Sequence, residues 1–152
     1  MDQIPSRASG TSPPFEHATH HHLADLTLFT PVGETVVVEA DLRYDTTDPL
    51  AVTLSFHHDG VGLIDWVFAR QLLFEGLAGP AGEGDVRLRP HGEDPGLVWL
   101  HLESPFGRAE LTACRRQLTE FLDCTTRLVR SGSEPEWIAI DSSITRLLSG
   151  EP

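Results

Sequence analysis

The chain has 152 residues, a formal net charge of −12 at pH 7 and a sequence pI near 4.9. This length suits one domain that buries a hydrophobic core without the help of a disulfide or a metal. The acidic balance disfavours binding to phosphate backbones and anionic membranes. All eleven basic residues are arginine, which excludes lysine-dependent nucleotide binding and catalysis.

Residues 1–22 are rich in Ser, Pro, Thr and His and poor in apolar side chains, which predicts a disordered tail before a single domain at 23–149. The tail has no charged region followed by an apolar run, so we do not expect it to act as a secretory signal. It contains a histidine cluster made of His17, His20, His21 and His22. Clustered imidazoles bind zinc or nickel, but no cysteine lies nearby, and we favour a solvated tail.

From Leu23 the apolar residues alternate with polar ones, which predicts half-buried strands. The segments "LADLTLFT" and "TVVVEADLRY" flank the turn "PVGE" and indicate a hairpin. The segments "LAVTLSFHH" and "LIDWVFA" indicate a third and a fourth strand, joined by a tight turn at Asp59-Gly60. In the fourth strand Trp66 and Phe68 share one apolar face with Ile64, so we expect both aromatic rings to be buried.

The stretch "DTTDP" places Asp45 and Asp48 between the second and third strands. Such a pair could act in acid–base chemistry or bind a metal together with His57 and His58. Aspartate and threonine side chains also accept hydrogen bonds from nearby backbone N–H groups, and proline ends a ladder, so we favour a turn. Adjacent strand residues point to opposite faces, so His57 and His58 cannot both face one metal without a bulge.

The pattern becomes helical near Ala69 and ends at Gly79-Pro80. The following "GPAGEGD" lacks the lysine of a phosphate-binding loop, so a flexible loop is favoured over a nucleotide site. The segments "DVRLRP", "LVWLHLES" and "GRAELTA" predict three more strands, and "SPFG" forms the turn between the last two. Arg87 and Arg89 share an outer face and are interpreted as solvated. His101 is interpreted as a satisfied or exposed strand histidine.

The segment "LTACRRQLTEFLDCTTRLVR" predicts a long amphipathic helix. Its apolar stripe consists of Cys114, Leu118, Phe121, Leu122, Thr125, Leu128 and Val129. With Cys114 and Cys124 on one helix, about 15 Å of axis separates them, which is too far for a disulfide and fits a reducing compartment. A last short helix is predicted through Ile144, Leu147 and Leu148.

Together these elements predict an α+β fold, with a strongly curved antiparallel sheet or barrel of about seven strands, one long helix and two short ones. The sequence contains no G-x-S-x-G and no H-E-x-x-H. We therefore expect no enzyme and assign no catalytic, cofactor-binding or metal-binding residue. No apolar run of about 18 residues is present, so no transmembrane helix is expected.

Four of these segments resemble successive motifs of the SsgA-like sporulation and cell division proteins of actinomycetes. They are "LRYDTTDPLAVTLSF", "DWVFARQLLFEGL", "GDVRLRP" and "SPFGRAEL", and the resemblance runs from about Leu42 to Leu148. The most specific part is "WVFAR-x-LL-x-EGL". The resemblance implies a bell-shaped fold of antiparallel strands and helices, like that of Whirly-type and mitochondrial guide-RNA-binding proteins.

The resemblance also implies a function. Family members are small cytoplasmic proteins without known catalytic activity or cofactor, and they control where and when division septa form. We therefore expect a non-catalytic adaptor that positions septum or wall-remodelling machinery at septa or wall-growth sites. Its expected partners are FtsZ or wall enzymes, bound directly or through a paralogue, and the resemblance implies a homo-oligomer, with a trimer suggested by one family structure. The alternative is a nucleic-acid-binding module, which the acidic surface disfavours.

Overall fold

The computed structural model describes residues 16–58 and 61–138. Its strands and helices, numbered in chain order, are β1 (Thr19–Phe29), β2 (Thr35–Asp45), β3 (Ala51–His58), β4 (Val61–Ala69), α1 (Arg70–Ala78), β5 (Val86–Pro90), β6 (Leu97–Ser104), β7 (Gly107–Cys114) and α2 (Arg115–Leu128). Residues 134–138 are also helical. The predicted turn at Asp59-Gly60 and the predicted last helix lie outside the described residues.

The strands form one antiparallel sheet in the order β4-β3-β2-β1-β7-β6-β5. Strand β1 is therefore central, and β4 and β5 are the two edges. The sheet curls into a half-barrel, and the core lies on its concave face. The predicted α+β fold with a strongly curved sheet of seven strands is confirmed.

The core follows from the alternation within the strands. Inward residues of the central strands, such as Leu26, Leu42 and Leu54, are nearly inaccessible to solvent. Helix α2 covers them with the central part of the predicted stripe, which is buried at Leu118, Phe121, Leu122 and Thr125. The sheet and α2 thus share one hydrophobic core, with Leu73 of α1 added to it.

The predicted tail boundary at residue 22 is wrong, because β1 begins at Thr19. Residues 19–22 pair with residues 42–45 of β2, so the β1–β2 pairing runs from Thr19 to Phe29. Ala18 is also bound to Thr46: the Thr46 N–H donates to the Ala18 carbonyl at 3.0 Å, and the Ala18 N–H donates to Thr46 Oγ1 at 2.8 Å. Pairing with β2 places this segment in the sheet although its own composition is polar.

The placement of both cysteines on one helix is also wrong. Cys114 is the last residue of β7, where it pairs with Leu97 and has extended backbone angles. Helix α2 begins one residue later. Both thiols are free, but the argument from helical rise does not apply to them.

Arg70, at the start of α1, is buried with a relative exposure of 1%. Its Nη1 donates to the carbonyl oxygens of Val129 at 2.8 Å and Thr125 at 3.3 Å, and its Nη2 donates to the carboxylate of Glu134. The guanidinium also lies 4.9 Å from the ring centroid of Tyr44. One side chain thus joins α1, the end of α2, residues 134–138 and β2.

The groups around Arg70 have shifted pKa values that match this arrangement. Burial opposes ionisation of Glu134, but hydrogen bonds, led by that from Arg70, hold the pKa of its carboxyl below the ordinary value. Burial raises the pKa of Tyr44 to about 12, although the positive charge of Arg70 acts to lower it. The neutral Tyr44 hydroxyl donates to the carbonyl oxygen of Pro49 at 2.8 Å and so fixes the turn between β2 and β3.

Replacement of Arg70 by alanine is expected to lower the free energy of unfolding by about 3–5 kcal/mol, because it leaves Glu134 and two carbonyl groups without their buried donor. Arg87→Ala is the matched control. Arg87 pairs with Glu103, and both side chains are about half exposed, so its loss should leave the free energy of unfolding nearly unchanged. Urea denaturation measures both values, and equal losses would contradict the role assigned to Arg70.

Stability is expected to fall as the pH drops below the ordinary histidine value of 6.5. In the folded chain the pKa of His20 is lowered, mainly by burial. The neighbouring charges of His22 and His21 add smaller contributions in the same direction. The unfolded chain therefore binds more protons near and below pH 6.5, which favours unfolding there. The lowered pKa values of Asp45 and Glu134 add a further loss in more acidic solution, below their ordinary values of 3.8 and 4.5.

The measurement is urea denaturation across this pH range for the native chain and for His20→Phe. The His20 ring stacks on Phe121 with centroids 5.9 Å apart, and within the described residues its Nε2 is buried without a hydrogen-bond partner. Phenylalanine keeps the stacking and does not titrate, so the variant should lose less stability between about pH 7 and pH 5.5. The same slope in both proteins would show that His20 is not responsible.

Candidate functional site

The acidic pair at "DTTDP" belongs to a turn. Both the backbone N–H and the hydroxyl of Thr47 donate to Asp45 Oδ1, at 2.9 and 2.7 Å, and the Thr19 hydroxyl donates to Asp45 Oδ2 at 3.0 Å. The Thr47 N–H is the main cause of the lowered pKa of Asp45. The Asp48 N–H donates to the Asp45 carbonyl at 2.9 Å. The interpretation of Asp45 and Asp48 as turn residues is confirmed.

The histidines are divided between the two faces of the sheet. His20 and His22 face inward beside Phe121, whereas His21 faces outward and lies 2.9 Å from Asp41 Oδ2. The register of the β3–β4 pairing shifts between Phe56 and His58. An irregularity at this position is what His57 and His58 would need in order to face one metal. Even so, residues 16–58 and 61–138 contain no group of three or more side chains placed to hold a metal.

Arg87 and Arg89 lie on the outer face of β5, as predicted. Arg87 donates to Glu103 Oε1 at 3.3 Å, and the Arg89 guanidinium lies 5.5 Å from the ring centroid of Trp99. His101 is also satisfied, since its ring nitrogens lie 2.6 Å from Glu110 and 3.1 Å from Glu103. Two carboxylates thus share the shallow surface beside these arginines, which disfavours an anionic ligand there.

A groove of about 680 Å³ with a mostly apolar lining lies at one end of the half-barrel. We call it the apolar groove. Its floor is formed by inward residues of six strands, Leu28, Val38, Phe56, Trp66, Leu102 and Leu111. Four of these, Leu28, Val38, Phe56 and Trp66, are only partly buried and pack against the core. Within the described residues, the groove is therefore an uncovered extension of the core.

The groove stays open because the buried part of α2 lies towards the other end of the concave face. Phe121 contacts His20 and His22 at the beginning of β1, whereas the groove begins at Leu28 near its end. This explains why Phe68 is buried as predicted while Trp66 is only partly so, and why Ile64 is 55% exposed. The expectation that Trp66 lies wholly in the interior is wrong.

Phe106 stands at the rim of the apolar groove and is fully exposed to solvent. It lies in the short turn between β6 and β7, where its backbone N–H donates to Ser104 Oγ at 3.2 Å. Gly107 follows with a φ of +151°, a conformation that favours glycine. A large exposed aromatic ring beside an apolar groove is typical of a protein docking site.

The sequence alone could not identify this site. The alternation of Ile64, Trp66 and Phe68 shows that they share a face, but it does not show how far a helix covers that face. "SPFG" indicated a turn, yet the exposure of its aromatic ring depends on the tertiary structure. In the part of the chain that the structure describes, no helix is both long and apolar enough to cross a membrane.

Comparison with known proteins gives consistent results. Residues 38–134 match the family model of the Streptomyces sporulation and cell division protein SsgA. The sporulation-specific cell division protein SsgB of Saccharopolyspora erythraea is 43% identical over 133 residues, which cover 88% of this chain and 94% of that protein. SsgB of Streptomyces coelicolor is 44% identical over 115 residues, covering 74% and 82% of the two chains.

Comparison with solved structures identifies the same kind of protein. The SsgA-like sporulation-specific cell division protein of Thermobifida fusca superposes with a TM-score of 0.77 at 36% identity, covering 89% of this chain and 98% of that one. A structure from work on SsgB mutations and longitudinal cell division in sporulating Streptomyces coelicolor gives a TM-score of 0.74 at 40% identity, covering 80% and 96%. The chain therefore belongs to the SsgA family of sporulation and cell division proteins.

Proposed function

We propose that this protein is a non-catalytic adaptor of sporulation-specific cell division, which positions septum or wall-remodelling machinery by binding it at the apolar groove. The observation that carries the proposal is the groove itself, an apolar surface continuous with the core and bordered by the fully exposed Phe106. Relatives named as sporulation-specific cell division proteins supply the process in which such an adaptor would act.

The chemistry of the groove supports binding over catalysis. Its polar lining includes His57, Asp65 and Arg108, and the Asp65 carboxylate accepts a hydrogen bond from the Ser55 hydroxyl at 2.6 Å. The rest of the lining is mostly apolar, as in the central part of a protein–protein interface.

An adaptor of this kind would bind division or wall-synthesis proteins, with FtsZ and wall enzymes as the candidates, directly or through a paralogue. Self-association, with a trimer as the expected assembly, would present several grooves together and raise the avidity of weak contacts. The adaptor would concentrate at septa or at sites of wall growth. The nucleic-acid alternative lacks comparable support, because the outer-face arginines share their surface with carboxylates and the chain carries a net charge of −12.

Replacement of Ile64 and Phe106 by serine together is expected to abolish septal localisation of a fluorescent fusion in sporulating hyphae and to reduce capture of FtsZ or wall-synthesis proteins. Both side chains are exposed, so the melting temperature should stay close to that of the native chain. Leu23→Ser is the matched control, since Leu23 is 61% exposed but lies on the outer face. It should localise and complement a deletion as the native chain does.

Diffuse fluorescence of the native fusion at every stage, no captured division or wall protein and a normal deletion phenotype would together contradict the adaptor role. Capture of wall enzymes without FtsZ would keep the adaptor role and assign it to wall remodelling. Equal behaviour of the double variant and the Leu23→Ser control would move the docking site away from the groove.

A further inference from the structure

Strand β4 has an open edge in the described sheet, because β3 is its only neighbouring strand there. The Arg70 N–H donates to the Leu50 carbonyl at 2.8 Å, which makes Leu50 and Arg70 a hydrogen-bonded pair. Antiparallel pairs alternate between bonded and non-bonded positions. Asp65 and Val67 occupy the non-bonded positions opposite Ser55 and Thr53, so their backbone N–H and C=O groups point away from β3 towards the open edge.

This edge is accessible, and two cavities border it. Val67 is 63% exposed and Asp65 is also exposed. On the concave side the apolar groove begins at Ile64 and Trp66. A cleft of about 450 Å³, which we call the edge cleft, is lined by residues 67–69 at the end of β4, by the beginning of α1 and by residues 82–86.

The unpaired backbone groups specify the shape of the occupant. An extended segment can pair with the N–H and C=O groups of Asp65 and Val67, whereas a helix already uses its own backbone groups internally. The side chains of such a segment would alternate between the two faces of the sheet. One set would enter the apolar groove, and the other set would lie beside the edge cleft.

The charges specify the chemistry of the occupant. Glu75, Glu83 and Asp85 line the edge cleft, and its lining includes no basic residue. Asp65, which faces outward at the edge of the apolar groove, adds a carboxylate to the same strand edge. A second copy of this chain would bring its own Asp65 to a β4–β4 pairing, together with a net charge of −12. Basic side chains on a different protein complement this edge, and a second copy does not.

We propose that the open edge of β4 binds an extended segment of a partner protein in which aliphatic and basic side chains alternate. The segment adds a strand to the sheet beside β4. Its aliphatic side chains enter the apolar groove, and its basic side chains face the acidic residues of the edge cleft. This inference rests on the proposed function only in treating the surface as a docking site for a protein.

Three capped synthetic peptides of about eight residues, a usual strand length, provide the test. The first alternates valine with lysine, the second alternates valine with glutamate, and the third rearranges the first so that the valines recur at helical spacing. Each is added at millimolar concentration to the full isotope-labelled chain, and amide hydrogen exchange is followed by NMR. The valine–lysine peptide should slow exchange at Asp65 and Val67, and this effect should weaken as salt is raised.

Three variants separate the contribution of backbone pairing from that of charge. Val67→Pro removes an edge N–H that β3 does not use, so the sheet should persist and peptide binding should weaken at least about tenfold. Val67→Thr keeps the N–H and should bind as the native chain does. If the proline variant fails to fold, the combined variant Glu75→Gln, Glu83→Gln and Asp85→Asn still tests the charge, and it should weaken binding of the valine–lysine peptide and reduce its salt dependence.

The proposal is overturned if none of the peptides protects Asp65 and Val67, or if the valine–glutamate or the helical peptide binds as well as the valine–lysine peptide. It is also overturned if these amides are protected in the free protein and lose protection on dilution, since a second copy would then occupy the edge. The experiment uses purified protein, so failure here leaves the localisation result unaffected. Failure of localisation, in turn, leaves the peptide result unaffected.

Discussion

The buried guanidinium of Arg70 determines which part of the concave face is covered. It binds the carbonyl groups at the end of α2 and the carboxylate of Glu134, and it lies against Tyr44 near the turn between β2 and β3. The end of α2 is therefore held at that end of the sheet. Because α2 has only 14 residues, it leaves the opposite end uncovered in the described part of the chain, and this end forms the apolar groove.

The buried ion pair explains specificity better than it explains net stability. Transfer of Arg70 and Glu134 from water is costly, and their attraction does little more than offset that cost. A hydrophobic pair of similar volume could hold the same elements, but it would not select one position of α2 along the sheet. The guanidinium does so because its donors require carbonyl and carboxylate acceptors at fixed positions. The groove thus depends on an interaction that lies at the other end of the molecule.

Local sequence patterns predicted the strands of the sheet well, but they predicted the ends of the strands less well. Alternation identified all seven strands, and the helical stripe identified α2, since both depend on which side chains face one core. The start of β1 was missed because the polar residues 19–22 are ordered by pairing with β2, not by their own composition. Cys114 was assigned to the helix because an apolar residue at a strand end fits either period. The role of Arg70 and the exposure of Ile64 and Phe106 depend on contacts distant in sequence, which no local pattern contains.

The central position of β1 also constrains the order of folding. Its two neighbours come from opposite parts of the chain: β2 follows it directly, whereas β7 pairs with it through contacts such as Leu26 with Ala113. During synthesis β1 to β4 can form a local meander early, but one side of β1 has no strand to bind until β7 has left the ribosome. Until then the nascent chain has two open sheet edges, at β1 and at β4. Completion of the half-barrel closes the first of these and leaves the second.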